Sequence, residues 1–292
     1  MFKKFNISTR LHAILLYLIG TASLVLLIVI FKKILIVYKI STAQALFIRQ
    51  SIILIFLLPF MIKDKFNFFD KKMCGINFVR NSIFAISTFF WYKCIKVIPV
   101  NDSLVLSFLT PVITTVLAVY ILKEKVNYKL WICLIISFFA VILSNKPSFK
   151  DFGMFEEAYF YGLIVVIFRS YVDILGKQAT EVSTPMQMLY YTNIVMLFFT
   201  LFDLQSFKVI PLDGIFLLAL SAVLFFIEFI TIYTSYKLAP ISSLEPLAFF
   251  RLIFSMIFSF LLLNETIQIN QIISGFIVIL AFIYSLNFKK KK

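Results

Sequence analysis

Long apolar runs separated by short polar breaks dominate the chain. Ten such runs stand out, at residues 11–31, 42–62, 76–97, 102–122, 129–145, 157–176, 184–203, 212–236, 242–263 and 269–287. A helix needs about 20 apolar residues to cross the hydrocarbon core of a bilayer. The runs are continuously apolar and do not alternate residue by residue. They therefore predict helices rather than the strands of a closed barrel, the other architecture that satisfies every backbone amide in lipid. The connections are short and rich in Lys, Asn, Pro and Ser, and none could hold a soluble domain. The expected fold class is an all-α integral membrane protein with ten transmembrane helices.

The runs also repeat. Sliding the sequence against itself by 141 residues brings Tyr92 onto Tyr233, Lys96 onto Lys237, Pro99 onto Pro240, Phe108 onto Phe249 and Glu124 onto Glu265, with no gap. Ala140, Ile142 and Ser144 meet Ala281, Ile283 and Ser285 in the same register. Matches of Leu or Ile between apolar sequences mean little, but Lys, Pro and Glu matches at helix ends at one offset are harder to obtain by chance. The expectation is two repeats, residues 1–146 and 147–292, of five helices each. Five is odd, so the second copy enters the membrane from the opposite face and the repeat is inverted. Lys96–Pro99 and Lys237–Pro240 each punctuate the end of one helix and the start of the next. Ser242-Ser243-Leu244-Glu245 reads as a capping box for the ninth helix.

Composition agrees. Hydrophobic residues make up 62% of the chain, charged residues 14%, and the mean hydropathy is +1.00. The net charge is +14. Such a surplus can signal nucleic-acid binding, but here Lys and Arg cluster between apolar runs, as in membrane loops, which argues against nucleic acid. With the N-terminus inside, 16 loop and tail cations fall on the cytoplasmic side against 8 on the other, so both termini are expected in the cytoplasm. Arg80, near the expected start of the third helix, counts with the inside charges. The opening Lys3, Lys4 and Arg10 followed by an apolar run imitate a signal peptide. The run is too long and lacks an A-x-A site, so it reads as a first helix that stays.

Several chemistries find no support. The three cysteines, Cys74, Cys94 and Cys133, are far apart, and no CxxC or Cys/His pair suggests a disulfide framework or a metal site. The single histidine, His12, sits at the start of the first run and cannot complete a Ser-His-Asp arrangement. No GxxxxGK[ST] loop is present, so the chain alone is not expected to use ATP. No enzyme activity and no cofactor are expected. The partners to expect are a small-molecule substrate and the lipid bilayer, and a homodimer stays open.

Charges inside apolar helices cost at least ~2.5–3.5 kcal/mol on insertion scales, so each calls for a functional reading. Arg49, Arg169, Asp173, Glu228, Glu245 and Arg251 fall in this class. Arg169 and Asp173 are four apart and share a helix face, so they can pair or jointly coordinate a substrate. Arg49 and Gln50 can donate to a carboxylate or phosphate, or to a neighbouring backbone. Glu228 lies among apolar and aromatic neighbours, a setting that suits a proton-coupling carboxyl or a counter-ion for a cation. Glu245 either closes the capping box or joins the site. In an α-helix the six residues from Glu245 to Arg251 turn about 240°, which points the two apart. Pro111 should kink the fourth helix, with Ser107 beside the freed carbonyl. Tyr92, Tyr190 and their neighbours Trp91 and Tyr191 can stack on a flat or cationic substrate, or serve as packing.

The segments FIRQSIILIFLLP (47–59), VRNSIFAISTFFWYKCIKVIPVNDSLVLSFLTPVITTVLAVYILKEKV (79–126) and YTSYKLAPISSLEPLAFFRLIFSMIFSFLLLNETI (233–267) together resemble the EamA-type families of the drug/metabolite transporter superfamily. The resemblance covers almost the whole chain. It implies ten helices, two EamA repeats, alternating access and a central site between the halves. The layout is similar to that of bacterial uptake carriers for S-adenosylmethionine. A lipid or lipid-linked carrier flippase of the same fold is the alternative. The chain departs from the family in having only seven Gly among 37 Phe, a bias that suits an AT-rich, host-restricted bacterium. Close helix packing would then fall to small-xxx-small pairs such as Ser103/Ser107 and Ser255/Ser259.

Overall fold

The computed structural model describes residues 7–63, 71–95, 105–145, 156–202, 207–263 and 266–286. Among these residues there is no strand. The α-helices of eleven residues or more are α1 (Ile7–Tyr38), α2 (Thr42–Lys63), α3 (Lys71–Ile95), α4 (Thr110–Tyr120), α5 (Tyr128–Asn145), α6 (Glu156–Ala179), α7 (Pro185–Phe202), α8 (Leu212–Leu238), α9 (Arg251–Leu263) and α10 (Ile269–Leu286). Among the described residues, six helical stretches are long and apolar enough to cross a membrane: those of α1, α2, α5, α6 and α8, and the continuous stretch Ile241–Leu262 that ends in α9. Val105–Tyr120 and Ile269–Ser285 are shorter apolar helices.

The distribution of side chains is that of a protein dissolved in lipid. Ile55, Ile62, Phe139, Phe216 and Leu280 lie on the outer surface, each more than 60% exposed. Contiguous apolar surface on this scale marks a non-aqueous neighbour. The interior is where polar side chains gather: Gln44, Gln50, Asn77, Arg80, Asn81, Thr114, Thr115, Ser137 and Asn193 are at most 1% exposed.

Helices pair mainly across the two halves of the chain. α1 packs on α8 and α3 on α6; α2 packs on α7 and α5 on α10; α4 packs on α6 and α9 on α1. Two glycines permit the closest approaches. A Cβ at Gly20 of α1 would meet Thr231 and Ile232 of α8, and one at Gly176 of α6 would meet the Tyr233 ring. The Ser255 hydroxyl bonds Leu252 O in its own helix. Ser103 lies outside the described residues.

Several sequence expectations change at helix ends. α1 continues through Lys32 and Lys33 to Tyr38 and stops where Lys39 takes a left-handed conformation (φ 49°). α3 begins at Lys71 rather than 76, which carries Arg80 roughly 14 Å into the helix at 1.5 Å per residue. Within the expected helix 102–122, the described residues show an interruption just before Pro111. Residues 105–107 are helical, and the amides of Phe108 and Leu109 then bond three residues back, to Val105 O and Leu106 O. α4 restarts at Thr110 with Pro111 in its first turn, where a missing N–H leaves no gap in the helix. The second half breaks in the same way. One helical turn, Ile241–Leu244, leads into a 3-10 stretch, Glu245–Phe250, before α9 begins at Arg251. Thr110 and Arg251 correspond under the 141-residue shift. So do Phe108 and Phe249, whose rings stack on each other with centroids 5.6 Å apart and planes 17° apart.

Candidate functional site

Two polar regions lie inside the helices. The first joins α4, α6, α8 and the turn before α9. Glu124, just past α4, accepts hydrogen bonds from the amides of Ile241 (3.0 Å) and Ser242 (2.9 Å) and from the Ser242 hydroxyl (2.5 Å). These amides open a helical segment and have no intrahelical partner, so a carboxylate there satisfies both donors and complements the helix dipole. This overturns the expected capping box: no side chain within the segment caps the turn, and Glu245 faces elsewhere. Lys177 of α6 donates to Tyr236 O and, at 2.8 Å, to Ala239 O, the carbonyls that end α8. Lys177 is thus a helix C-terminal cap rather than a loop charge, and it lies within electrostatic reach of Glu124.

The second region is a cluster of charges between the halves. Glu228 of α8 interacts electrostatically with Arg49 of α2, with Arg169 and Asp173 of α6, and with Arg251 of α9. Asp173 interacts with Arg169, Arg251 and Arg80 in turn. Arg169 and Asp173 are thus within electrostatic reach of each other inside a larger network. The guanidinium groups rest on aromatic faces. Arg49 lies over Phe225 (4.7 Å to the centroid) and Phe31 (5.3 Å), Arg169 over Phe84 (4.1 Å), and Arg251 over Phe108 (5.4 Å). Cation–π contacts of this kind stabilise a charge that has left water.

Glu245 and Arg251 lie within electrostatic reach of each other, where an α-helix would turn them about 240° apart. The reason is the 3-10 stretch between them. At 3.0 residues per turn, six residues make two whole turns and return to one face. The Glu245 carboxyl, 2% exposed, accepts from the Tyr236 hydroxyl at 3.3 Å, and Asp173 lies within electrostatic reach of both. Tyr17, Tyr233 and Tyr236 form an aromatic wall, with Tyr17 and Tyr236 centroids 6.1 Å apart and Tyr233 edge-on to Tyr236 at 5.6 Å.

Gln50 is fully buried, and neither its Nε2 nor its Oε1 has a hydrogen-bond partner. Ser107 is half-buried beside the break before α4. Tyr190 is not brought to the cluster. It lines a cleft between α2 and α7 with Leu57, Met61, Met186 and Gln187. The side chain of Tyr92 lies outside the described residues. Among the described residues no three His, Cys, Asp or Glu side chains converge as metal ligands would.

One member of the cluster was misplaced from sequence. Arg80 counted as an interfacial cation, yet it is 1% exposed and among the largest fully buried side chains. Its Nη2 donates to Thr192 Oγ1 (2.6 Å) and Met188 O (3.4 Å) of α7, and its guanidinium lies over Tyr233 (4.9 Å) and Phe229 (5.4 Å). The signal was present: Asn77, Arg80 and Asn81 stand at i, i+3 and i+4, a polar stripe on one face of an apolar helix.

Known proteins point the same way. The model of the EamA-like transporter family matches residues 11–146 and 157–287. An S-adenosylmethionine uptake transporter of Rickettsia prowazekii (strain Madrid E) is 24% identical over 259 residues, covering 87% of this chain and 85% of that protein. One of Rickettsia bellii (strain RML369-C) is 23% identical over 265 residues, covering 87% and 86%. A crystal structure of a protein 12% identical in sequence superposes with a TM-score of 0.77 over 93% of this chain and 96% of that one, which speaks for the fold alone. The chain belongs to the EamA-like transporter family, and it is a multi-pass membrane transporter, not an enzyme.

Proposed function

We propose that this chain is a secondary transporter of a small, cation-bearing metabolite, with S-adenosylmethionine as the substrate to test first. It works by alternating access in a bacterial inner membrane. The observation that carries this reading is the interior cluster in which Glu228, Asp173 and Glu245 meet Arg49, Arg169, Arg80 and Arg251 at the contact between halves. Buried carboxyls beside an aromatic wall suit a sulfonium or ammonium group, and the arginines suit a carboxylate. The names of the Rickettsia relatives support the choice of S-adenosylmethionine. An enclosed, charged interior supports a soluble metabolite over a lipid: Arg49 is only 6% exposed.

The architecture behind this is ten crossings in two inverted repeats, residues 1–146 and 147–292, with both termini in the cytoplasm. Three observations support it. The family model matches each half separately. Exchanging α1–α5 for α6–α10 turns every helix pairing described above into another or into itself. Phe108 and Phe249 stack on each other, as residues beside a pseudo-twofold axis do. In this orientation the Glu124–Lys177 region closes the cytoplasmic side, and the two halves rock about the charge cluster.

Uptake into membrane vesicles carrying the protein, screened with S-adenosylmethionine, amino acids, nucleosides and riboflavin, tests the substrate. Saturable uptake of S-adenosylmethionine is the expected result. Uptake of another solute with none of S-adenosylmethionine would overturn that choice. A reporter fused after Lys292 should be active only in its cytoplasmic form, and periplasmic activity would overturn the orientation.

A further inference from the structure

We infer that Arg80 is the residue that reads a carboxylate on the substrate, so that the site takes amphoteric, amino-acid-type solutes rather than simple cations. The inference rests on the transport reading above and deepens it. Of the arginines in the cluster, Arg80 is the most enclosed, at 1% exposed. One edge of its guanidinium is held: Nη2 donates to Thr192 Oγ1, and that hydroxyl is itself 3.0 Å from Asn81 Oδ1. Nε is buried and has no hydrogen-bond partner. Asn81 Nδ2, on the next residue of α3, is also buried and without a partner.

A buried guanidinium fixed at one nitrogen with Nε unsatisfied is an incomplete arrangement. Guanidinium donors are planar and fork-shaped, and a carboxylate can take two of them at once. An unmade hydrogen bond from a buried charged donor is costly, so an anionic ligand at Nε gains what the empty protein forgoes. Asp173 exerts a favourable field on Arg80 without occupying Nε.

The surroundings fix the other end of the ligand. Arg80 packs over Phe229 and Tyr233, and Tyr233 contacts Tyr236, whose hydroxyl reaches Asp173 and Glu245. A solute with its carboxylate at Arg80 would place a neighbouring cationic group along this aromatic wall, facing the two carboxyls. The site therefore offers a guanidinium for the carboxylate and carboxyls beside aromatic rings for a cationic group, which matches a zwitterion with a further cationic centre.

The test pairs one ligand change with one residue change. Purified full-length protein in liposomes is assayed for uptake of S-adenosylmethionine and of its decarboxylated form, which keeps the sulfonium, adenine and amine. Wild-type protein should favour the carboxylated solute by about tenfold or more in apparent KM, the range of a charge-assisted hydrogen bond. Arg80→Gln should abolish that preference by weakening only the carboxylated solute, and Arg80→Lys should restore part of it. Loss of both solutes by the same factor in Arg80→Gln would assign Arg80 a structural role and overturn the inference, as would an unchanged preference. If Arg80→Gln does not fold, the preference measured in Arg80→Lys decides by the same criterion.

Absence of wild-type uptake of either solute would sink the choice of S-adenosylmethionine without touching the role of Arg80. Thermal stabilisation by amino acids and by their decarboxylated amines then decides. Stabilisation by the amino acid that Arg80→Gln loses supports the inference, and equal shifts, or none, in the two proteins overturn it.

Discussion

The Glu124–Lys177 region and the charge cluster use the same residue types at neighbouring depths, yet they are built oppositely. In the first region the carboxylate and the ammonium face backbone groups that a helix end leaves unpaired, and three donors converge on Glu124. In the second, the charges face one another through aromatic rings, and buried donors and acceptors on Arg80, Asn81 and Gln50 stay without hydrogen bonds. Buried polar groups in folded proteins are satisfied with few exceptions, so the unsatisfied ones on Arg80, Asn81 and Gln50 stand against the three donors that converge on Glu124. The contrast sets a latch between the halves against the transport site proposed above.

Substitutions should separate the two regions by their readouts. The largest effect expected is on transport. Glu228→Gln should lower uptake by about a hundredfold or more, the loss of a buried charge-assisted contact. Its melting temperature should fall, because the buried guanidinium groups around it lose a counter-charge. Wild-type-like uptake in vesicles would contradict this. Next in size, Glu124→Ala should destabilise the protein by about 2–3 kcal/mol, since it orphans two amides at a helix start. Thermal unfolding in detergent checks it, and an unchanged midpoint would mean that the latch carries no weight. Gly176→Ala should cost about 1–3 kcal/mol by driving a methyl into Tyr233. Because Tyr233 belongs to the aromatic wall, that variant should also lose uptake, and full uptake would separate the wall from the site. The smallest effect belongs to Ser255→Ala. Its hydroxyl bonds its own helix, so the change in stability should stay within about 0.5 kcal/mol.

Much of this arrangement was legible in the sequence. Continuous apolar runs located the helices, because burial in lipid demands one kind of segment of one approximate length. Intramembrane charges located most of the cluster, since Arg49, Arg169, Asp173 and Glu228 are expensive wherever they sit without partners. What stayed hidden depended on backbone geometry and on distant partners. Glu245 and Arg251 looked divergent because α-helical geometry was assumed, and the 3-10 stretch behind Pro246 turned them onto one face. The Ser242–Glu245 signature is a sound local capping pattern, but Glu124, more than a hundred residues away, took the amides first. Arg80 was lost to a helix start misplaced by five residues, although its polar stripe with Asn77 and Asn81 was readable. The close contacts at Gly20 and Gly176 were not read from the sequence, which pointed to serine pairs for such packing. Tyr190 lines a cleft between α2 and α7, a placement that spacing alone does not encode.

The distinction between latch and site is tested most directly by equilibrium binding of labelled S-adenosylmethionine to three purified proteins: wild type, Glu124→Gln and Glu228→Gln. The account predicts that wild type and Glu124→Gln bind with affinities within about threefold of each other, the spread expected of a change that touches no ligand contact. Glu228→Gln should show no saturable binding. Wild-type binding by Glu228→Gln together with loss in Glu124→Gln would contradict it and move the site to the latch.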